Sequence, residues 1–111
     1  MNSRYTLKLN SDFRRLYSKG NSSVTPYMVV YCMKNRSDDN RTGFTVSAKL
    51  GHAVVRNRIR RQLRELYRLN SDSLKKGLDI VIVARHRSVG ASYKKLEEAF
   101  LSACRELDIL L

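Results

Sequence analysis

The stretch Lys49–Arg68 reads KLGHAVVRNRIRRQLRELYR, and wound as a helix it separates into two faces. At about 100° per residue, Val55, Ile59, Leu63 and Leu66 fall within an arc of roughly 80°. Such a stripe is a core contact, so this helix lies on an apolar layer. Arg56, Arg60, Asn57, Arg64, Arg68 and Arg61 follow over roughly the next 140° as one cationic face. Seven of the twenty residues are Lys or Arg and one, Glu65, is acidic, so the stretch supplies half of the formal net charge of +12. Six arginines from Arg56 to Arg68 repel one another on an isolated helix. A merely solvated face would mix Lys with Glu, so the pattern points to an external polyanion. Arginine favours a bidentate grip on phosphate and stacking on bases, and the Asn57 amide both donates and accepts. If about five phosphates are neutralised, log K falls against log salt with a slope of about −3.5 to −4.5.

Upstream, Thr42–Ala48 (TGFTVSA) reads as a strand that delivers the chain to Lys49 and to Gly51, whose backbone can take a conformation other residues avoid. Before it, Val24–Met33 (VTPYMVVYCM) is β-rich, with Pro26 either ending a short first strand or sitting on an edge. Tyr27, Val29, Tyr31 and Met33 share one face of this run and Met28, Val30 and Cys32 the other. Both faces are apolar, which predicts cover on both sides. A hairpin between these two strands is the economical pairing. Asp38 and Asp39, in the polar loop between them, read as turn chemistry rather than as a metal or acid–base pair. Nearer the start, Asn10 or Ser11 can cap a helix of about nine residues, Asp12 suits its N-terminal end, and Gly20 can close it. Phe13 and Tyr17 are one turn apart on it, with Leu16 nearby. As residues alone they read as the anchor that docks the helix on a sheet, with a binding role as the alternative.

Downstream, Leu78–Ala84 (LDIVIVA) reads as a buried central strand introduced by Lys75, Lys76 and Gly77. A last helix, capped by Ser92 and running from Tyr93 to about Leu110, places Leu96, Phe100, Ala103, Leu107 and Leu110 in a core stripe. Its charges, Lys94, Lys95 and Arg105 against Glu97, Glu98, Glu106 and Asp108, sum to −1. The cationic excess is therefore local to the other helix. His86 has no carboxylate or nucleophile near it in sequence and reads as a loop histidine. Cys32 and Cys104 read as small buried apolar residues, and with His52 and His86 they show no zinc-ligand spacing.

With 111 residues the chain fits one domain, residues 1–111, and 42% hydrophobic residues make it globular. A pI near 10.2 attracts phosphate, either nucleic acid or an anionic membrane. The narrow apolar side of the basic helix and the absence of Trp disfavour the membrane. MNSRYTLKLNSDF lacks the apolar core of a signal peptide and no run has the length of a transmembrane helix, so a cytoplasmic location is expected. The element order predicts a small α+β sandwich, with a sheet of three or four strands and helices packed on it.

The stretch KLGHAVVRNRIRRQLRE also resembles the signature of the bacterial ribonuclease P protein subunit: a Lys, a Gly, Ala-Val, Arg-Asn-Arg, further basic residues and an Arg-Glu ending. Phe13 and Tyr17 before Gly20 resemble the family's early aromatic helix, Tyr31 its aromatic strand position and IVIVAR its last strand. His52 stands where a small polar residue is more usual, and Tyr17 takes the place of a Phe. The resemblance implies a two-layer α/β sandwich in the order α-β-β-β-α-β-α, like a ribosomal protein domain, with a left-handed crossover around the basic helix. It further implies an accessory subunit of an endoribonuclease that removes the 5′ leader of precursor tRNA. On that resemblance the partners are a catalytic RNA and precursor tRNA, and the protein is monomeric. The chemistry belongs to Mg²⁺ held by the RNA, with no catalytic or metal-binding residue in the protein. Lys49, Arg56, Asn57, Arg58, Arg60, Arg61, Arg64 and Arg68 would face mostly the catalytic RNA, and Phe13, Tyr17 and Tyr31 would line a cleft for unpaired leader nucleotides. A ribosomal or other RNA scaffold would share the charge but would need neither an aromatic cleft nor the Arg-Asn-Arg signature, and a DNA-binding helix module would prefer duplex DNA, whereas nothing in the sequence looks like a helix-turn-helix pair.

Overall fold

The computed structural model describes Thr6, Leu7 and residues 10–111; the rest of the basic opening segment lies outside the described residues. Three helices and four strands follow the expected order: α1 (Asn10–Lys19), β1 (Asn21–Val24), β2 (Met28–Lys34), β3 (Arg41–Thr45), α2 (Ala53–Asn70), β4 (Leu78–Ala84) and α3 (Tyr93–Glu106). Pro26 does end a short first strand. Thr25 shapes the turn, its Oγ1 donating to the Met28 carbonyl at 2.7 Å and accepting from Met28 N at 3.0 Å. α1 begins at Asn10, so Asn10 and Ser11 lie in its first turn rather than ahead of it.

The expected hairpin between the second and third strands does not form. The sheet runs β1-β2-β4-β3, with β4 antiparallel to β2 and parallel to β3. The polar loop after β2 bonds within itself and also to the start of β4. Asn35 N donates to the Gly77 carbonyl at 2.9 Å, and Leu78 N donates to Asn40 Oδ1 at 2.8 Å. β4 is apolar on both faces, and the centre of the sheet is the one place that buries both.

Alternation along β4 then assigns the layers. Ile80, Ile82 and Ala84 join Met28, Val30 and Cys32 in the main core under α2 and α3. Val81 points the other way, packing with Leu7 and Leu16 and with the partly buried Phe13, Tyr31, Met33 and Val83 under α1. Ile59, Leu63 and Leu66 form the buried stripe of α2 as expected, with Val55 half-buried at its start. Tyr67 joins them. Its ring stands edge-on to Phe44 and to Phe100, each at 6.4 Å.

The last helix stops earlier than its periodicity predicts. Asp108 has φ 57°, and Asp108 N and Ile109 N donate to the carbonyls of Arg105 and Cys104. That is the hydrogen-bond pair of a Schellman stop. It turns the chain so that Ile109 is buried, while Leu107 and Leu110 are half-buried beside the core. Cys32 and Cys104 are buried and free, and burial pushes the Cys104 thiol up to about 12.

Candidate nucleic-acid interface

Two surfaces on opposite sides of the sheet collect the candidate residues. The first is α2. Gly51 precedes it at φ 148°, where a Cβ would also come within 3.0 Å of Val55 Cβ. His52 is the exposed N-cap residue and makes no side-chain cap bond. Asn57, Arg58, Arg61, Arg64 and Arg68 are exposed, and Arg56 and Arg60 are half-buried. Arg60 Nη1 donates to Asn57 Oδ1 at 3.1 Å, which holds that amide on the helix surface.

The arginines are not equivalent. Arg68 forms a two-point pair with Glu65, at 2.6 and 3.2 Å. This pair holds the Glu65 carboxyl below its ordinary range and raises Arg68. Arg58, Arg61 and Arg64 have no ionic partner among the described residues. Arg56 Nε is shielded from solvent and likewise has no hydrogen-bond partner among the described residues. A shielded donor without an acceptor costs free energy until one arrives.

Lys49 stands apart from this face, in a short 3-10 turn (Ala48–Leu50) capped by Ser47, whose Oγ accepts from Lys49 N at 3.2 Å. It lines a depression of about 770 Å³ with Arg85, His86 and Arg87, beside Pro26 and Leu50. Sequence reading assigned no binding role to those three residues. The signal was available in the run Arg85-His86-Arg87 directly after an apolar strand, but only the fold brings it to Lys49. Arg85 is fixed there, its Nη1 donating to the Thr25 carbonyl at 2.8 Å and its N to the Tyr27 carbonyl at 3.0 Å.

The second surface lies under α1. Phe13, Tyr17 and Tyr31 do come together: Tyr17 and Tyr31 meet edge-to-face at 5.0 Å, and Phe13 and Tyr17 are 6.4 Å apart. Phe13 is half-buried and packs over Gly43, while Tyr17 is 41% exposed. Tyr17 Oη shares a 2.8 Å hydrogen bond with Thr45 Oγ1 on β3, a partner that nothing in the sequence marked. The cleft thus has Phe13 against the sheet, Tyr31 half-buried on β2 and the Tyr17 ring presented to solvent with its hydroxyl tied to β3. Among the described residues no group of three or more His, Cys, Asp or Glu is placed to hold a metal ion. No helix among them is long and apolar enough to cross a membrane.

A family model described as Ribonuclease P matches residues 1–108. The chain belongs to the ribonuclease P protein family. The ribonuclease P protein component of Alkaliphilus oremlandii is 42% identical over 104 residues, covering 94% of this chain and 91% of that protein. The component of Clostridioides difficile is 44% identical over 104 residues, covering 93% and 91%. The Staphylococcus aureus RNase P protein superposes with a TM-score of 0.87 at 31% identity, over 96% of this chain and 98% of that one. The RNase P protein of Thermotoga maritima does so with a TM-score of 0.80 at 33% identity, over 87% and 92%. The α+β architecture and the order α-β-β-β-α-β-α match these structures. As a ribonuclease P protein, the chain is an accessory subunit of the endoribonuclease that processes the 5′ leader of tRNA, and its partner in that ribonucleoprotein is RNA.

Proposed function

We propose that the two surfaces divide the work between two RNAs. α2, through Arg56, Asn57, Arg58, Arg60, Arg61, Arg64 and Arg68, with Lys49 at its approach, docks the catalytic RNA. The cleft of Phe13, Tyr17 and Tyr31 takes unpaired leader nucleotides of precursor tRNA. The observation that carries this reading is the exposed Tyr17 ring held 5.0 Å from Tyr31 on the side of the sheet away from α2. A structural aromatic cluster has no need of a presented ring, whereas single-stranded bases stack on such rings. Opposite sides let both RNAs be held at once. Arg56 Nε, shielded and unpartnered, gains an acceptor when a phosphate or ribose oxygen arrives.

The protein supplies binding and orientation, and Mg²⁺ held by the RNA supplies the hydrolytic chemistry. In this reading the chain acts as one domain and as a monomer, in the cytoplasm where precursor tRNA is made. Reconstitution with the catalytic RNA at low Mg²⁺ tests it: the protein raises cleavage of leader-bearing tRNA. Tyr17→Ala weakens precursor binding by about 5- to 150-fold, the equivalent of about 1–3 kcal/mol for one stacked base, and leaves mature tRNA binding unchanged. Equal losses on both substrates would return Phe13 and Tyr17 to a purely structural role.

A further inference from the structure

The leader cleft is only as well defined as the placement of α1, and α1 is held along one rim by charges. Asp79 lies on central strand β4 and is 1% exposed. Its Oδ1 accepts from Arg41 Nε at 2.9 Å and from Asn35 Nδ2 at 3.0 Å, and its Oδ2 accepts from Arg41 Nη2 at 2.7 Å. Arg15 Nη2 of α1 stands 3.6 Å from the same Oδ2. Asp12, also on α1, stands 3.8 Å from Arg15 and 3.9 Å from Arg41. One buried carboxylate therefore ties together β4, edge strand β3, the loop after β2 and the first turns of α1.

The position of these groups around α1 gives them leverage. Taking Asp12 as zero, Leu16 lies at roughly 40°, Phe13 at roughly 100° and Tyr17 at roughly 140° around the helix. Leu16, fully buried, is the pivot between a charged rim and an aromatic rim. A roll of about 10° moves a side chain about 5–6 Å from the axis by about 1 Å. Tyr17 and Tyr31, at 5.0 Å, are near the short end of the aromatic contact range, so such a roll changes the cleft appreciably. An apolar rim would allow the helix to slide. The two-point Arg41–Asp79 fork sets the orientation of the anchor within the sheet, and two ion pairs of opposite polarity tie α1 to it, Arg15 to Asp79 at 3.6 Å and Asp12 to Arg41 at 3.9 Å.

We propose that the Asp79–Arg41–Arg15 network is the positioning device of the leader cleft, fixing the roll of α1 and thereby how strongly the subunit prefers leader-bearing over leaderless tRNA. This rests on the leader reading given above. The test uses the holoenzyme reconstituted with its catalytic RNA and takes the ratio of Kd for leaderless tRNA to Kd for precursor tRNA. Arg15→Gln and Asp79→Asn each lower that ratio by about two- to thirtyfold, the range that residues away from a ligand command, without changing affinity for the catalytic RNA. In 3-fluorotyrosine-labelled protein, the ¹⁹F resonance of Tyr17 moves in both variants. Arg15 is half-exposed, so Arg15→Gln decides the matter alone if Asp79→Asn does not fold. Should Tyr17→Ala lower the ratio while the folded network variants leave the ratio and the Tyr17 resonance unmoved, the network is not the positioning device and the leader reading stands. Should Tyr17→Ala leave the ratio unchanged, both fall.

Discussion

Gly43→Ala is the sharpest single perturbation of the face under α1. A Cβ at this position on β3 would stand 2.6 Å from Phe13 Cζ and 2.8 Å from Cε1. Ordinary contact begins at 3.4 Å, so the ring must retreat by about 0.8 Å. Phe13 is half-buried and sits one turn from Tyr17, so the retreat lifts α1 or drives the ring off its rotamer. Overpacking of this kind costs about 1–3 kcal/mol. Against it stands the gain of about 0.4–1 kcal/mol from a less flexible unfolded chain when Gly becomes Ala. The net expectation is a loss of about 1–2 kcal/mol, seen as a fall of about 4–8 °C in Tm for a domain of this size. Thermal unfolding by circular dichroism measures it, and a double-mutant cycle assigns it. Phe13→Leu removes the Cζ and Cε1 atoms that the new methyl meets, so Gly43→Ala costs less in that background, with a coupling of about 0.5–3 kcal/mol. A Gly43→Ala protein as stable as wild type, or additive with Phe13→Leu, would refute the claim that α1 is seated by a ring on a bare backbone.

In salt titrations of catalytic-RNA binding, Arg61→Gln or Arg64→Gln reduces the magnitude of the log–log slope by about 0.7–0.9; Arg68→Gln reduces it less, because Glu65 already neutralises that guanidinium. Asp108→Gly raises stability by about 0.5–1 kcal/mol in urea unfolding, since the left-handed Schellman position at φ 57° suits glycine; the exposed Lys75–Asp108 contact it removes, at 3.5 Å, contributes little. The buried Cys104 thiol, raised from 9.0 to about 12, stays protonated in the folded chain while the unfolded chain ionises near 9. Its contribution to stability is thus fully present below about pH 9 and is lost between pH 9 and 12. Cys104→Ala, compared with wild type across that window by urea unfolding, shows a shallower alkaline decline.

Local periodicity carried the elements but not their neighbours. LDIVIVA declares a central strand because both faces are apolar, yet nothing in it says which strands flank it. The pairing of β4 between β2 and β3 is decided by the Asn35–Asn40 loop, whose amides reach forward some forty residues to Leu78 and Asp79. The acid inside that apolar run was a legible signal. A buried Asp79 demands a cation, and Arg41, at the head of the next strand in the sheet, provides it. Tyr67 was hidden for a different reason. In projection it falls at roughly 120°, among the arginines, but it sits near the C-terminal end of the helix, where Phe44 and Phe100 extend the core beneath it. The end of α3 was not legible at all, because its stop signal is an aspartate rather than the usual glycine.

The two aromatic residues of α1 differ in their surroundings, and the proposed leader role rests on the second of them. Phe13 meets the requirement of an anchor: it is half-buried and lies over a position where even one methyl group would collide. Tyr17, one turn on, has the opposite character, exposed at 41% and hydrogen-bonded at its tip to Thr45. A ring fixed at both ends yet open on one face is preorganised, and a base that stacks there need not pay to order it. The same division runs along α2. Arg68 is spent on Glu65, whereas Arg58, Arg61 and Arg64 are unpaired among the described residues and Arg56 holds an unused donor. The strongest attraction for phosphate therefore lies toward the N-terminal part of α2, where the helix dipole adds to it.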